Sequence, residues 1–122
     1  MTNTNEPWRS ELETCAAEWA AEGRPSSNDH PYAPRLLGLC RNFEFGIAQW
    51  PEVQEAWSPL ALAERAFLKP SSPGEQLQAA FVLHVWNRDF PCPTVNVVEF
   101  AARLDPSSRA AIANWLSEPW FP

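Results

Sequence analysis

Prolines divide this chain into short segments and mark where its helices can begin. Thirteen prolines are spread over 122 residues, and a proline inside a helix removes a main-chain hydrogen bond and clashes with the preceding turn. The first helical turn accepts proline, so a capping side chain directly before a proline signals a helix start. This pairing occurs at Ser58, Ser72 and Asp105. The sequence therefore predicts short helices with defined starts.

Apolar residues recur at helical spacing in the N-terminal half of the chain. One stripe predicts a helix over residues 7–22, and it consists of Trp8, Leu12, Cys15 and Trp19. Polar, proline-rich sequence at about residues 23–35 predicts a loop. A second stripe predicts another helix that Pro51 interrupts, with a kink or break at Trp50. Its members are Leu36, Leu39, Cys40, Phe43, Ile47 and Trp50.

The C-terminal half contains the clearest helix signals. Ser72 and Glu75 match a capping box, and the helix that follows is apolar on all sides from Ala79 to Trp86. An all-round apolar helix is typical of a buried position, so this segment is predicted to be the centre of the fold. Further helices are predicted over residues 52–57, 58–68, 96–104 and from 105 to the stop at Pro119. The last of these is expected to direct three side chains inward, namely Ile112, Trp115 and Leu116.

Together these elements predict an all-α fold in a single domain that spans residues 1–122. A chain of this length has room for one hydrophobic core. We expect an irregular bundle of five or six short helices packed around Ala79–Trp86.

The net charge restricts the classes of partner. Nine basic and fifteen acidic residues give a formal charge of -6 and a pI near 4.8. Binding to nucleic acid requires a surface that neutralises phosphates, so direct nucleic-acid binding is not expected. The longest uninterrupted apolar stretch is Ala79–Leu83, which is too short to cross a membrane.

The cysteines favour a reducing compartment. Cys15, Cys40 and Cys92 are an odd number at wide spacing, which is a poor disulfide framework and suits the cytoplasm. Cys92 lies between two loop prolines, where its thiol is either held outward or incidental. No metal-ligand spacing such as CxxC or HExxH is present, so no metal or other cofactor is predicted.

Two places carry side chains suited to acid–base chemistry. His84 is one, and Asp29 with His30 in the long loop is the other. A histidine that shares a helical face with Leu77 and Phe81 is more typical of packing, and Asn-Asp-His-Pro is ordinary turn sequence. A small enzyme or ligand sensor built on either place is the alternative hypothesis, and a non-enzymatic protein is favoured over it.

The first helix concentrates the negative charge. Residues 1–22 contain five glutamates and one arginine, so they carry -4 of the total -6. Glu11, Glu18 and Glu22 line one flank of the apolar stripe, where they are suited to docking on a basic surface. Trp120 and Phe121 near the C-terminus either fold back on the bundle or enter a partner's groove. The sequence thus favours a small acidic protein-binding module, such as an inhibitor, an immunity-type antagonist or an adaptor.

Overall fold

The fold is all-α, as predicted. A computed structural model describes residues 6–122, and within that range the regular structure is helical throughout, with no strand. The six α-helices are α1 (Pro7–Ala21), α2 (Ala33–Arg41), α3 (Pro59–Ala63), α4 (Pro73–Trp86), α5 (Val97–Arg103) and α6 (Pro106–Ser117). Two 3-10 turns, Ile47–Gln49 and Pro51–Val53, connect α2 to α3, and a π-helical turn, Glu64–Leu68, extends α3.

Side-chain caps start the helices where the sequence indicated. Ser58 accepts a hydrogen bond from the Ala61 amide, and Asp105 accepts one from the Ser108 amide. At α4 the capping box is complete, because Ser72 caps the Glu75 amide while the Glu75 carboxylate accepts from the Ser72 amide. These bonds satisfy main-chain donors that a helix leaves unpaired at its first turn.

The predicted second helix is too long. The observed helix, α2, ends at Arg41, and a turn separates it from the two 3-10 turns. The predicted helix over residues 52–57 is also not a full helix, because the only regular structure there is the 3-10 turn Pro51–Val53. The amide of Ile47 donates to Gln78 Oε1 on α4 at 3.1 Å, a long-range bond that replaces the helical one. The predicted break at Trp50 is present, since this residue is extended before Pro51.

The core surrounds α4. Buried side chains face all sides of this helix, and α2, α3 and α5 pack against it. Each of the other helices also contributes to the same core, including Leu12 from α1 and Ile112 from α6. Helix α1 lies further out, against α3 and the π-helical turn. The prediction that Ala79–Trp86 forms the centre is confirmed, with His84 and Trp86 only partly buried.

The predicted inward stripe of α6 is wrong at one position. Ile112 is buried and Trp115 packs edge-on against Phe81 at 5.6 Å, but Leu116 is 60% exposed. Leu116 instead lines an apolar groove to which α5 also contributes. Among residues 6–122, no helix is long and apolar enough to cross a bilayer.

Candidate functional site

Helix α1 separates a buried stripe from an acidic exposed face. Leu12, Ala16 and Trp19 are buried, whereas Glu11, Glu18 and Glu22 are all exposed. The first two glutamates flank Cys15 closely enough for their charges to add to the effect of burial in raising the pKa of its thiol. The three glutamates named from the sequence therefore lie on the solvent side of the helix, as its periodicity requires.

The carboxylates of this face have no cationic partner within residues 6–122. The one salt bridge that α1 makes within the described residues joins Arg9 to Glu6, which directly precedes the helix. Arg24, which follows the helix, points elsewhere: its guanidinium pairs with Glu64 at 3.2 Å and lies over the Trp19 ring at 5.0 Å. We call Glu11, Glu18 and Glu22 the acidic face. The negative charge of this face is thus left unpaired within the described part of the protein.

The C-terminal segment folds back on the bundle. Trp120 is partly buried against Tyr32 and Trp115, with ring centroids 5.8 and 6.5 Å apart. The Arg35 guanidinium also lies over the Trp120 ring at 5.9 Å. Phe121 contacts Trp115 edge-on at 5.5 Å but remains 60% exposed. Of the two aromatic residues named from the sequence, Phe121 is therefore the more accessible.

The structure places Cys92 next to His84. The sulfur lies 3.4 Å from Nε2, and Cys92 is buried rather than turned outward. Burial raises the pKa of the thiol to about 12. Burial also lowers the pKa of His84, although a hydrogen bond to the Phe90 main chain opposes that shift. Burial thus favours the neutral form of both side chains, which share a hydrogen bond between Cys92 Sγ and His84 Nε2.

This arrangement suits a structural role. Nucleophilic cysteine chemistry requires a thiolate, which an adjacent imidazolium normally stabilises. Here burial disfavours the charge on both groups. The His84 side chain instead joins helix α4 to the loop that carries Phe90 and Cys92.

The loop residues Asp29 and His30 do not form a pair in the described part of the chain. The Tyr32 amide donates to His30 Nδ1 at 3.1 Å, and the imidazole ring meets the Trp86 ring edge-on at 4.9 Å. Asp29 is exposed. The local bond to Tyr32 is the turn chemistry of a short polar loop.

A groove between α5 and α6 was not identified from the sequence. Its cavity has a volume of about 300 Å³, and its walls are apolar apart from Arg109. Val97 on α5 and Leu116 on α6 line the groove and are largely exposed, so they form its rim. One sequence signal could have indicated it, namely the two adjacent valines, Val97 and Val98, at the start of α5. Two neighbouring helical residues cannot both face the core, so at least one apolar side chain had to remain at the surface.

Within residues 6–122, no group of three histidine, cysteine or acidic side chains is arranged to hold a metal ion. The three cysteines are all free. No family model matches the chain, and comparisons with curated proteins and with solved structures found no match either.

Proposed function

We infer that this protein is a small acidic protein-binding module that docks through the acidic face of α1 on a basic surface of another protein. An inhibitor, an immunity-type antagonist or an adaptor would act in this way. The observation that carries the proposal is the set of exposed carboxylates on α1 that have no cationic partner in the described chain. A reducing compartment such as the cytoplasm suits its three free cysteines.

Charge placed in this way acts before contact. Exposed charges of one sign steer an oppositely charged partner over a distance of about 8–10 Å at physiological salt. They also raise the association rate more than they strengthen the final complex. Phe121, exposed at another part of the surface, offers a secondary apolar contact.

The test compares two charge-reversal variants. The first carries Glu11→Lys, Glu18→Lys and Glu22→Lys. The second carries Glu44→Lys, Glu55→Lys and Glu118→Lys, which are also exposed and change the net charge by the same amount. Both variants should fold, because exposed substitutions usually change stability by about 0.5 kcal/mol or less each.

Tagged wild-type protein and both variants are used as baits in extracts of the native cells. We expect one stoichiometric protein with the wild type and the second variant, and its loss with the first. With that partner purified, affinity for the wild type should fall as salt rises. A partner that binds the first variant as well as the wild type would contradict the proposal, and a co-purifying small molecule in place of a protein would favour the sensor hypothesis.

Cys15 provides an independent footprint. It is the one cysteine of the three that is not buried, and it lies between Glu11 and Glu18. A bound partner should slow its alkylation by iodoacetamide, and the second variant should show the same protection.

A further inference from the structure

The groove between α5 and α6 has an apolar floor. Phe81, Phe100 and Ile112 line it and are each less than 10% exposed. A cavity of about 300 Å³ is at the small end of the range of sites that bind organic ligands. That volume accommodates a single short chain and is too small for a large cofactor.

The rims of the groove expose apolar side chains to solvent. Val97 is 75% exposed and Leu116 is 60% exposed, although both lie beside buried core residues. An occupant would remove this apolar surface from water, which contributes roughly 25 cal/mol for each Å² covered. The groove is therefore suited to an apolar chain lying between the two helices.

Arg109 supplies the one charge in the lining of the groove. Seven of the nine cationic residues have an acidic, carbonyl or aromatic partner within residues 6–122. The other two are Arg88 and Arg109. An exposed guanidinium beside an apolar groove is complementary to a carboxylate attached to an apolar chain.

We propose that this groove binds a small amphiphilic carboxylate, with its chain over Phe81, Phe100 and Ile112 and its carboxylate paired with Arg109. A second copy of this protein is the competing occupant, because it exposes Phe45 and Phe121. The dependence of the groove signals on protein concentration, described below, distinguishes it from a small ligand. The proposed ligand site lies on α5 and α6 and is independent of the docking function assigned to α1.

Octanoate is the first probe, titrated into isotope-labelled protein and followed by NMR. We expect the signals of α5 and α6 to shift and to saturate. Val97→Gln should weaken binding by at least about threefold, because it replaces an apolar wall. Val98→Gln is the matched control, since Val98 is equally exposed and adjacent but does not line the groove, and it should bind like the wild type.

1-Octanol is the second probe, and it tests the role of the charge. Wild-type protein should bind octanoate about two- to fivefold more tightly than octanol, as expected for one exposed ion pair. Arg109→Gln should abolish this preference. Arg88→Gln should retain it, because Arg88 has no described partner either but lines a different depression beside Trp86 and Phe121.

The proposal is wrong if octanoate leaves α5 and α6 unperturbed, or if both valine variants weaken binding equally. Equal affinity of the wild type for octanoate and octanol would also overturn it. If the groove signals move with protein concentration in the absence of ligand, a second copy covers the groove and the assignment fails. The α1 charge-reversal variant should bind octanoate normally, so this result does not depend on the protein-docking proposal.

Discussion

The packing role of His84 can be predicted from the sequence, but the residues that it contacts are known only from the structure. Its helical face with Leu77 and Phe81 predicts a packing role, and its side chain does lie partly inside the protein. Its contacts come from residues later in the chain, however, with Cys92 at 3.4 Å and a hydrogen bond to the Phe90 main chain. The imidazole therefore stabilises the packing of a loop on α4.

We predict that His84→Ala lowers the free energy of unfolding by about 1–3 kcal/mol, because it leaves buried groups without hydrogen-bond partners. The effect should also depend on pH. Burial lowers the pKa of His84 from its ordinary value of 6.5, so below that pH the unfolded chain binds a proton that the folded chain does not. The contribution of His84 to the free energy of unfolding is therefore complete above pH 6.5 and is lost as pH falls below that value.

Thermal unfolding of both proteins between pH 7.5 and 5 measures this effect. The difference in the free energy of unfolding between the wild type and His84→Ala should become smaller as pH falls. Cys92→Ala is the control, because it removes the thiol but keeps the titrating imidazole, and it should retain the wild-type slope. The lowered pKa values of Glu75 and Asp105 act below this window, since stability from a carboxylate is lost only as pH falls through its own range. A constant difference between wild type and His84→Ala would contradict the prediction.

At the scale of elements, one buried side chain positions three of them. Gln78 on α4 is 2% exposed. Its oxygen accepts from the Ile47 amide in the 3-10 turn at 3.1 Å, and its nitrogen donates to Ser108 on α6 at 3.0 Å. Ser108 in turn donates to the Asp105 carboxylate that caps α6. A satisfied buried network of this kind specifies one arrangement of the elements.

Gly46 leaves the space that Gln78 occupies. A side chain at Gly46 would collide with the Gln78 amide, whereas one at Gly38 in α2 would meet nothing. We predict that Gly46→Ala destabilises the protein by about 1–3 kcal/mol, and that Gly38→Ala stabilises it by about 0.5–1 kcal/mol through better helix propensity. Urea unfolding of both variants gives the two values. If Gly46→Ala and Gly38→Ala changed the free energy of unfolding equally, the contact with Gln78 would not restrict which side chain residue 46 can carry.

At the scale of the whole molecule, one core connects every helix, while the two proposed binding surfaces lie on different helices. Buried residues from α1 to α6 form one cluster around α4. The acidic face belongs to α1, which packs on α3, and the apolar groove belongs to α5 and α6. The carboxylates of the acidic face can change without altering the core, whereas the floor of the groove consists of the core residues Phe81, Phe100 and Ile112.

A single shared core predicts a single unfolding transition. We expect the loss of helix, followed by circular dichroism, and the change in tryptophan fluorescence to coincide in urea. Tryptophans from α1 to the C-terminal segment are distributed across the fold, so fluorescence samples most of the molecule. Two separated transitions would show that part of the chain folds as its own unit and would contradict the single-domain prediction.

The sequence by itself determined the helical class, the starts of the four helices with side-chain caps, and the exposure of Glu11, Glu18 and Glu22. It did not determine the start of α2, because the predicted loop at about residues 23–35 already gives way to helix at Ala33. The features that it did determine depend on neighbours within a few residues: a cap satisfies an amide three positions away, and helical spacing alone places Glu11, Glu18 and Glu22 beside the buried stripe. Local patterns are therefore sufficient to read them.

The tertiary structure alone decided the end of α2, the outward position of Leu116 and the meeting of His84 with Cys92. Helix α2 ends at Arg41, and further along the predicted helix the Ile47 amide donates to Gln78 of α4, 31 residues away. The groove exists because α5 and α6, which follow one another in sequence, leave an unfilled apolar space that Phe81 of the distant helix α4 also lines. Such features arise from contacts between distant segments, and the spacing of residues along one segment contains no information about them.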